Sequence, residues 1–319
     1  MSDLATSGLL FGCDFTSAPS RRKPVVVAEG RTSIRNISSF FGHNPASNGD
    51  LLLLKLHRFE TLDAFGEWLC EQREPWVGGF DLPFGLPREL VMALGWPTVW
   101  LACMRHYAGL PRPAIRDAFA AFCHARPAGG KFAHRATDAP AGSSPSMKWV
   151  NPPVAFMLHA GVPWLLKAGC HLPGLHVGDP GRVALEAYPG LLAREVLGRR
   201  SYKADDRARQ TPDRLIARKD LITGLEQGRT RLALRLKVSH AQRDALADDA
   251  SGDSLDAVLC LMQAAWAAQQ QARGPSPDGG PGWGLPAFDP LEGWIVTAPS
   301  LMADNGAGPS IRVPSPGDW

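Results

Sequence analysis

Short apolar runs that end at polar or turn residues predict the first strands of this chain. Residues 9–16, 24–30 and 51–59 are such runs, rich in Leu, Val and Phe. Residues 62–72 instead carry apolar side chains at helical spacing, which predicts an amphipathic helix. Residues 76–82 form another apolar run, and the proline that follows marks its predicted end. The pattern therefore predicts the order β-β-β-α-β for the first quarter of the chain.

The rest of the chain is predicted to be mostly helical, with one well-marked further strand. Residues 87–180 indicate a large helical insertion, within which residues 126–150 are rich in Gly, Pro and Ser and predict a long loop. Residues 183–188 predict the fifth strand. Residues 253–272 predict a buried helix, because apolar side chains lie on nearly all of its faces. Residues 292–298 predict a last edge strand.

The composition is that of a globular protein, with 45% apolar and 20% charged residues among 319. Residues 1–298 are expected to form one α/β domain, and residues 299–319 a flexible tail. The six cysteines are scattered and form no CxxC pair, which favours a reducing compartment. The sequence shows neither a signal-peptide pattern nor an apolar run long enough for a membrane span. A cytoplasmic location without membrane partners is therefore expected, and the oligomeric state stays open.

Positive charge is concentrated in one segment of a chain whose formal net charge is only +3. Residues 194–237, predicted to be mainly helical, hold thirteen Lys and Arg against six Asp and Glu. Such an excess favours contact with a polyanion such as nucleic acid. A solvated helix face of mixed charge explains the same residues equally well.

Five acidic residues stand at the predicted ends of strands or at the start of the buried helix: Asp14, Asp81, Glu186, Asp253 and Asp256. Each lies in apolar sequence, where burial of a carboxylate without a partner is costly. Asp253 and Asp256 are three residues apart and so share one helix face. Each acid alone has a structural explanation, as a helix cap, a turn acceptor or an arginine partner. Together they predict a carboxylate site at one edge of the sheet.

Carboxylate oxygens are the ligands that Mg²⁺ and Mn²⁺ prefer in proteins. We therefore expect Asp14, Asp81, Asp253 and Asp256 to hold a divalent cation. Glu186 is expected to be a further ligand or to orient a water. Divalent cations held in this way support phosphodiester hydrolysis, so all five acids are candidate catalytic residues.

Candidate substrate contacts lie in two segments outside the predicted strands. Arg135, Asp138 and Lys148 belong to the Gly-rich loop, where a cation near the metal would hold a phosphate. Arg135 and Asp138 are equally explained as a surface ion pair. Lys203 and Arg207 belong to the basic segment and are candidates for contact with a nucleic-acid backbone. An exposed charged linker is the alternative explanation for those two.

Five motifs resemble, in this order, those of domain-of-unknown-function family 429: GCDFTSAPSRRKP, GFDLPFGLP, LEAYP, GRRSYK and GDSLDAVLCLMQA. That family is described as predicted nucleases of the RNase H-like fold. The resemblance implies a mixed five-stranded sheet flanked by helices, with the helical insertion between the fourth and fifth strands. It also implies that Asp14 and Asp81 are the strand acids of the site, with Glu186 carried over from the motif Glu-x-x-Pro. The start of the last helix is similar to that of Holliday-junction resolvases, whose acids there complete the metal site.

The function expected from motifs and resemblance is that of a metal-dependent nuclease. Its partner would be a nucleic acid or a phosphorylated small molecule. One alternative is a non-catalytic module that binds nucleic acid or protein, with purely structural acids. Another is an ATP-dependent phosphotransferase of the actin and sugar-kinase type. The turn after the first strand, DFTSAPS, contains no glycine, and this argues against the phosphate-binding turn of that class.

Overall fold

The computed structural model describes residues 8–33, 49–276 and 278–300, which form an α/β fold with a mixed sheet flanked by helices. Its strands are β1 (Leu9–Asp14), β2 (Val25–Ser33), β3 (Gly49–Phe59), β4 (Trp76–Asp81), β5 (Cys170–His171), β6 (Asp179–Glu186) and β7 (Leu234–Lys237). Its helices are α1 (Leu62–Glu71), α2 (Arg88–Ala93), α3 (Trp100–Gly109), α4 (Arg112–His124), α5 (Asp138–Ala141), α6 (Val154–Lys167), α7 (Pro189–Leu197), α8 (Pro212–Glu226), α9 (His240–Asp248) and α10 (Asp253–Ala272).

The strands lie across the sheet in the order β5-β6-β4-β1-β2-β3-β7. β2 is antiparallel to both of its neighbours, β1 and β3. β4 is parallel to β1, and β6 is parallel to β4. Because β1, β4 and β6 are parallel and adjacent, their last residues meet at one edge of the sheet. Those last residues are Asp14, Asp81 and Glu186.

The predicted number of five strands is wrong, because the sheet has seven. The five predicted strands correspond to β1 to β4 and β6. The two additional strands, β5 and β7, are the outermost strands on either side of the sheet. β5 has two residues and β7 has four, too few to leave a recognisable period in the sequence. β7 also falls within the basic segment 194–237, which is therefore not helical throughout.

The predicted edge strand at residues 292–298 is also wrong, since the described backbone there is irregular. Gly293 and Thr297 both have positive φ angles, which interrupt an extended backbone. The segment is nevertheless anchored beside β6. The Val296 N–H donates to the Glu186 carbonyl at 2.8 Å, and the Ile295 N–H donates to Thr137 Oγ1 at 3.0 Å.

Helices cover both faces of the sheet. The side chains of Phe11 and Cys13 face a core that includes α1, α3, α4 and α6. Leu10, Val26 and Ala28 face a second core that includes α7, α8 and α10. Five helices, α2 to α6, lie between β4 and β6 in the predicted insertion. The predicted loop at 126–150 contains one of them, the short helix α5.

The close packing of α10 on the sheet depends on glycines in β1 and β4. A Cβ atom at Gly12 would lie 2.0 Å from the Leu261 nitrogen and 2.1 Å from the Ala257 oxygen. A Cβ atom at Gly79 would lie 2.6 Å from the Cys260 oxygen. The helix backbone therefore lies against the strand backbone, and its first turn comes next to the end of β1. Although α10 is long and buried, neither it nor any other helix of the described residues could cross a membrane.

We expect Gly12→Ala to destabilise the fold by about 3 kcal/mol or more, because the added methyl group overlaps backbone atoms that cannot move independently. Denaturant unfolding measures the change. Gly109→Ala is the control without a steric clash, since a Cβ atom there has no neighbour within 4 Å, and at the end of α3 it should stabilise by at most about 1 kcal/mol. Equal stability of the two variants would contradict this account of helix docking.

Candidate functional site

Two neighbouring strands carry the first two acids to the sheet edge. Asp14 ends β1 and Asp81 ends β4, and the two residues are direct partners in the parallel register. The Asp14 residue is 8% exposed, and Asp81 is partly buried. Neither carboxylate has a hydrogen-bond or ion-pair partner within residues 8–33, 49–276 and 278–300.

The first turn of α10 supplies two more acids to the same edge. Asp253 and Asp256 are 1% and 0% exposed. Gly252, with a φ angle of 80°, precedes the helix. Neither the Asp253 nor the Asp256 side chain caps the helix. Asp249 instead accepts the Ser254 N–H at 2.9 Å. The alternative in which Asp253 and Asp256 merely cap the helix is therefore wrong. We call Asp14, Asp81, Asp253 and Asp256 the aspartate cluster.

The pKa values of Asp14 and Asp81 reflect this crowding. Burial raises the pKa of Asp14 well above its ordinary value, and the charges of Asp256 and Asp253 raise it further. Burial, followed by the charge of Asp256, raises the pKa of Asp81 to about 7, although Lys203 opposes the shift. Both carboxylates are therefore unfavourable as anions and are suited to a positively charged ligand.

Two lysines and a tyrosine lie against the α10 acids. Lys23 Nζ is 3.0 Å from Asp253 Oδ1. Asp256 accepts hydrogen bonds from the Tyr202 hydroxyl and from the Lys203 ammonium. Desolvation works against the charge on Lys203, but Asp256, Tyr202 and Asp14 together outweigh it, so the pKa of Lys203 is raised.

Sequence reasoning found Lys203, with Tyr202 beside it, as a candidate contact but missed Lys23 as a member of the site. Lys23 stands within the motif GCDFTSAPSRRKP, beside other basic residues. Nothing in the local pattern separates Lys23 from Arg21 and Arg22. Only the fold places its side chain against α10.

Glu186 belongs to a buried ionic network next to the aspartate cluster. Arg135 donates to Glu186 Oε1 at 2.6 Å and Oε2 at 2.8 Å, and to Asp138 Oδ1 at 2.9 Å. The Phe84 N–H donates to Glu186 Oε2 at 2.9 Å. Burial raises the pKa of Glu186, and Arg135 opposes that shift. The charge of Glu186 in turn contributes to the raised pKa of Asp81.

The five predicted substrate contacts are placed very differently. Arg135 and Asp138 are 3% and 0% exposed, and Arg135 pairs with both Asp138 and Glu186, so the explanation of a surface ion pair is wrong. Lys148 is partly buried, and its ammonium has no partner in the described ranges. Lys203 lies at the rim of the cluster with a side chain that is 46% exposed. Arg207 is exposed in the 3₁₀ turn Arg207–Arg209.

The donor chemistry of the aspartate cluster fits a hard divalent cation, although its present arrangement does not form a coordination shell. Asp253 Oδ2 is a buried oxygen without a hydrogen-bond partner. Asp14 and Asp81 offer further oxygens. Within the part of the chain that is described, no group of three or more His, Cys, Asp or Glu side chains is arranged to hold a metal ion. Cation binding therefore requires side chains of the cluster to turn.

Comparison of the chain with protein-family models, with curated proteins and with solved structures finds no match in any of the three. The resemblance to family 429 therefore stays a prediction drawn from the motifs.

We expect Arg135→Ala to destabilise the fold by about 3–5 kcal/mol, because Glu186 and Asp138 would be left as buried, uncompensated charges. Urea unfolding measures the loss. The matched control is Arg200→Ala, whose ion pair with Asp220 is about half exposed and should contribute less than about 1 kcal/mol. A loss for Arg135→Ala no larger than that of the control would contradict the network's structural role.

We expect Asp81→Asn to stabilise the fold at pH 8 by on the order of 2 kcal/mol and to have little effect near pH 4. The pKa of Asp81 is raised to about 7 in the folded protein. Protonated Asp81 therefore contributes its full stability below the pKa that this residue has in the unfolded chain. That contribution is lost as the pH rises through about 7, the pKa in the folded protein. Chemical unfolding at several pH values measures the difference, with the exposed Asp117→Asn as control. An equal effect at both pH values would refute the pKa assignment.

Proposed function

We propose that the protein is a metal-dependent phosphodiester hydrolase, acting as a nuclease on an RNase H-like fold. The observation that carries the proposal is the pairing of Asp14 with Asp81 on adjacent parallel strands, where neither carboxylate has a partner among the described residues. A fold gains no stability from such a pair, since burial and mutual repulsion both act against it. A site for positively charged ligands explains the arrangement directly.

The order of elements supports the RNase H-like assignment. The chain begins with β1, β2, β3, α1 and β4, continues through a helical insertion to β6, and reaches the acid-bearing helix α10. The motif resemblance implies the same order. β5 and β7 are then additions at the two sheet edges.

Asp14, Asp81 and Asp253 would hold Mg²⁺ or Mn²⁺, and Asp256 is the fourth candidate ligand. When bound, the cation supplies the charge that activates a water and stabilises the leaving oxygen. Glu186 is held in place by its ion pair with Arg135, and its charge contributes to the raised pKa of Asp81. It is thus a positioning residue in this proposal.

The surroundings of the cluster support an anionic substrate. The ammonium of Lys203 lies at the rim of the cluster. Arg207 and Lys148 are further candidate contacts from the sequence, and a nucleic-acid strand or a phosphorylated small molecule suits such cations. All six cysteines are free, which supports a reducing compartment such as the cytoplasm.

A second candidate function is a non-catalytic binding module. The observation that favours it is that Lys23, Lys203 and Arg135 already pair with three of the predicted catalytic acids. In that case the acids would stabilise the sheet edge, and the protein would need no cation.

Mn²⁺ calorimetry and a substrate panel separate the two functions. The panel holds labelled single-stranded, duplex, hybrid and branched nucleic acids. We expect the unmodified protein to give saturable Mn²⁺ binding and to cleave one substrate class. Asp14→Asn and Asp81→Asn should each lower cleavage at least about 100-fold, because each removes a cation ligand.

Asp117→Asn is the matched control, because its carboxylate is exposed and, among the described residues, pairs only with its neighbour Arg116. It should leave both binding and cleavage unchanged. Absence of saturable heat from the unmodified protein, together with no effect of Asp14→Asn, would favour the binding module.

A further inference from the structure

The two α10 acids of the aspartate cluster differ in how many of their carboxylate oxygens accept hydrogen bonds. Both carboxylate oxygens of Asp256 accept hydrogen bonds, one from Tyr202 and one from Lys203. Asp253 accepts on one oxygen, Oδ1, where the ammonium of Lys23 donates. Its other oxygen is buried and has no partner. Asp253 is therefore the α10 acid that a new ligand can reach by replacing one contact.

Lys23 already holds a second acceptor outside the cluster. Its Nζ atom is 2.6 Å from Asp205 Oδ1, closer than to Asp253 at 3.0 Å. The side chains of Lys23 and Asp205 are 40% and 70% exposed, whereas that of Asp253 is 2% exposed. The ammonium thus sits at the boundary between the buried carboxylate and water.

The backbones on both sides of this contact are fixed. Ser20 and Lys23 exchange backbone hydrogen bonds at 3.0 and 3.1 Å. The segment that carries Asp205 is tied down by the Ala204 N–H, which donates to the Ala250 carbonyl at 3.0 Å. A change of partner therefore needs only side-chain torsions of Lys23, not movement of either loop.

We propose that Lys23 is a movable counter-ion, which neutralises Asp253 until a divalent cation enters and then remains on Asp205. The inference rests on the proposed cation site. A divalent cation carries twice the charge of the ammonium and can contact several aspartates together, so it replaces Lys23 at Asp253. Asp205 keeps the displaced ammonium paired with a carboxylate. Cation affinity is consequently set by competition with Lys23 as well as by the aspartates.

Mn²⁺ calorimetry on two matched pairs of variants tests this exchange. Lys23→Met is compared with Arg22→Met, which removes the same charge from the exposed neighbouring residue. Asp205→Asn is compared with Asp206→Asn, which removes the same charge one residue further and makes no ion pair with Lys23. Because Asp205 is exposed, the second pair does not depend on a buried substitution.

The two pairs should respond in opposite directions. We expect Lys23→Met to bind Mn²⁺ about tenfold more tightly than Arg22→Met, because the competitor is gone. Asp205→Asn should bind Mn²⁺ about threefold more weakly than Asp206→Asn, because Lys23 then has only Asp253.

If the two variants of either pair bind Mn²⁺ equally well while the unmodified protein binds it, the proposed displacement of Lys23 is overturned. The proposed cation site is then retained. If none of the five proteins gives saturable heat, the exchange and the proposed function both fail.

Discussion

Electrostatic repulsion within the aspartate cluster is the constraint on which the rest of the site depends. Asp14 and Asp81 are adjacent in the sheet, and the first turn of α10 brings Asp253 and Asp256 next to them. Burial raises the pKa of both strand acids, and the neighbouring carboxylates add to the shift. A protein without use for these charges would be more stable with apolar or amide side chains there.

The fold offsets that repulsion in unequal ways. Asp256 is held by a tyrosine and a lysine, and Glu186 is held by Arg135 and a backbone N–H. Asp253 has one lysine, and the strand acids Asp14 and Asp81 have no partner in the described ranges. Asp256 and Glu186 are thus fully paired, whereas Asp14 and Asp81 are not. A cation beside the two strand acids would therefore stabilise the protein most.

The positions of the site acids could be predicted because they follow from strand and helix patterns. Asp14 and Asp81 end apolar runs, and parallel strands bring such ends together. Their partners could not be predicted. Arg135 resembles a surface residue in a Gly-rich loop, yet it is buried and pairs with Glu186 at the end of β6. Lys23 is indistinguishable from two neighbouring arginines until the sheet and α10 are in place.

The outer strand β7 and the segment 292–298 show the same limit of prediction from local sequence. β7 has four residues within a basic segment, so its pairing with β3 is decided by tertiary contact and not by a local period. The segment 292–298 has the composition of a strand, but the positive φ angles of Gly293 and Thr297 interrupt its extended backbone. Local pattern predicts long central elements well and short edge elements poorly, because pairing at an edge depends on the neighbouring strand.

The most direct test of the central claim is a carboxyl-carbon NMR titration of aspartate-labelled protein, with and without Mg²⁺, in which Asp81→Asn assigns the signal. The account predicts that Asp81 titrates with a pKa of about 7 in the absence of metal. Mg²⁺ should lower that pKa, since the cation favours the ionised form. A pKa near 4 without metal that does not change on adding Mg²⁺ would contradict it.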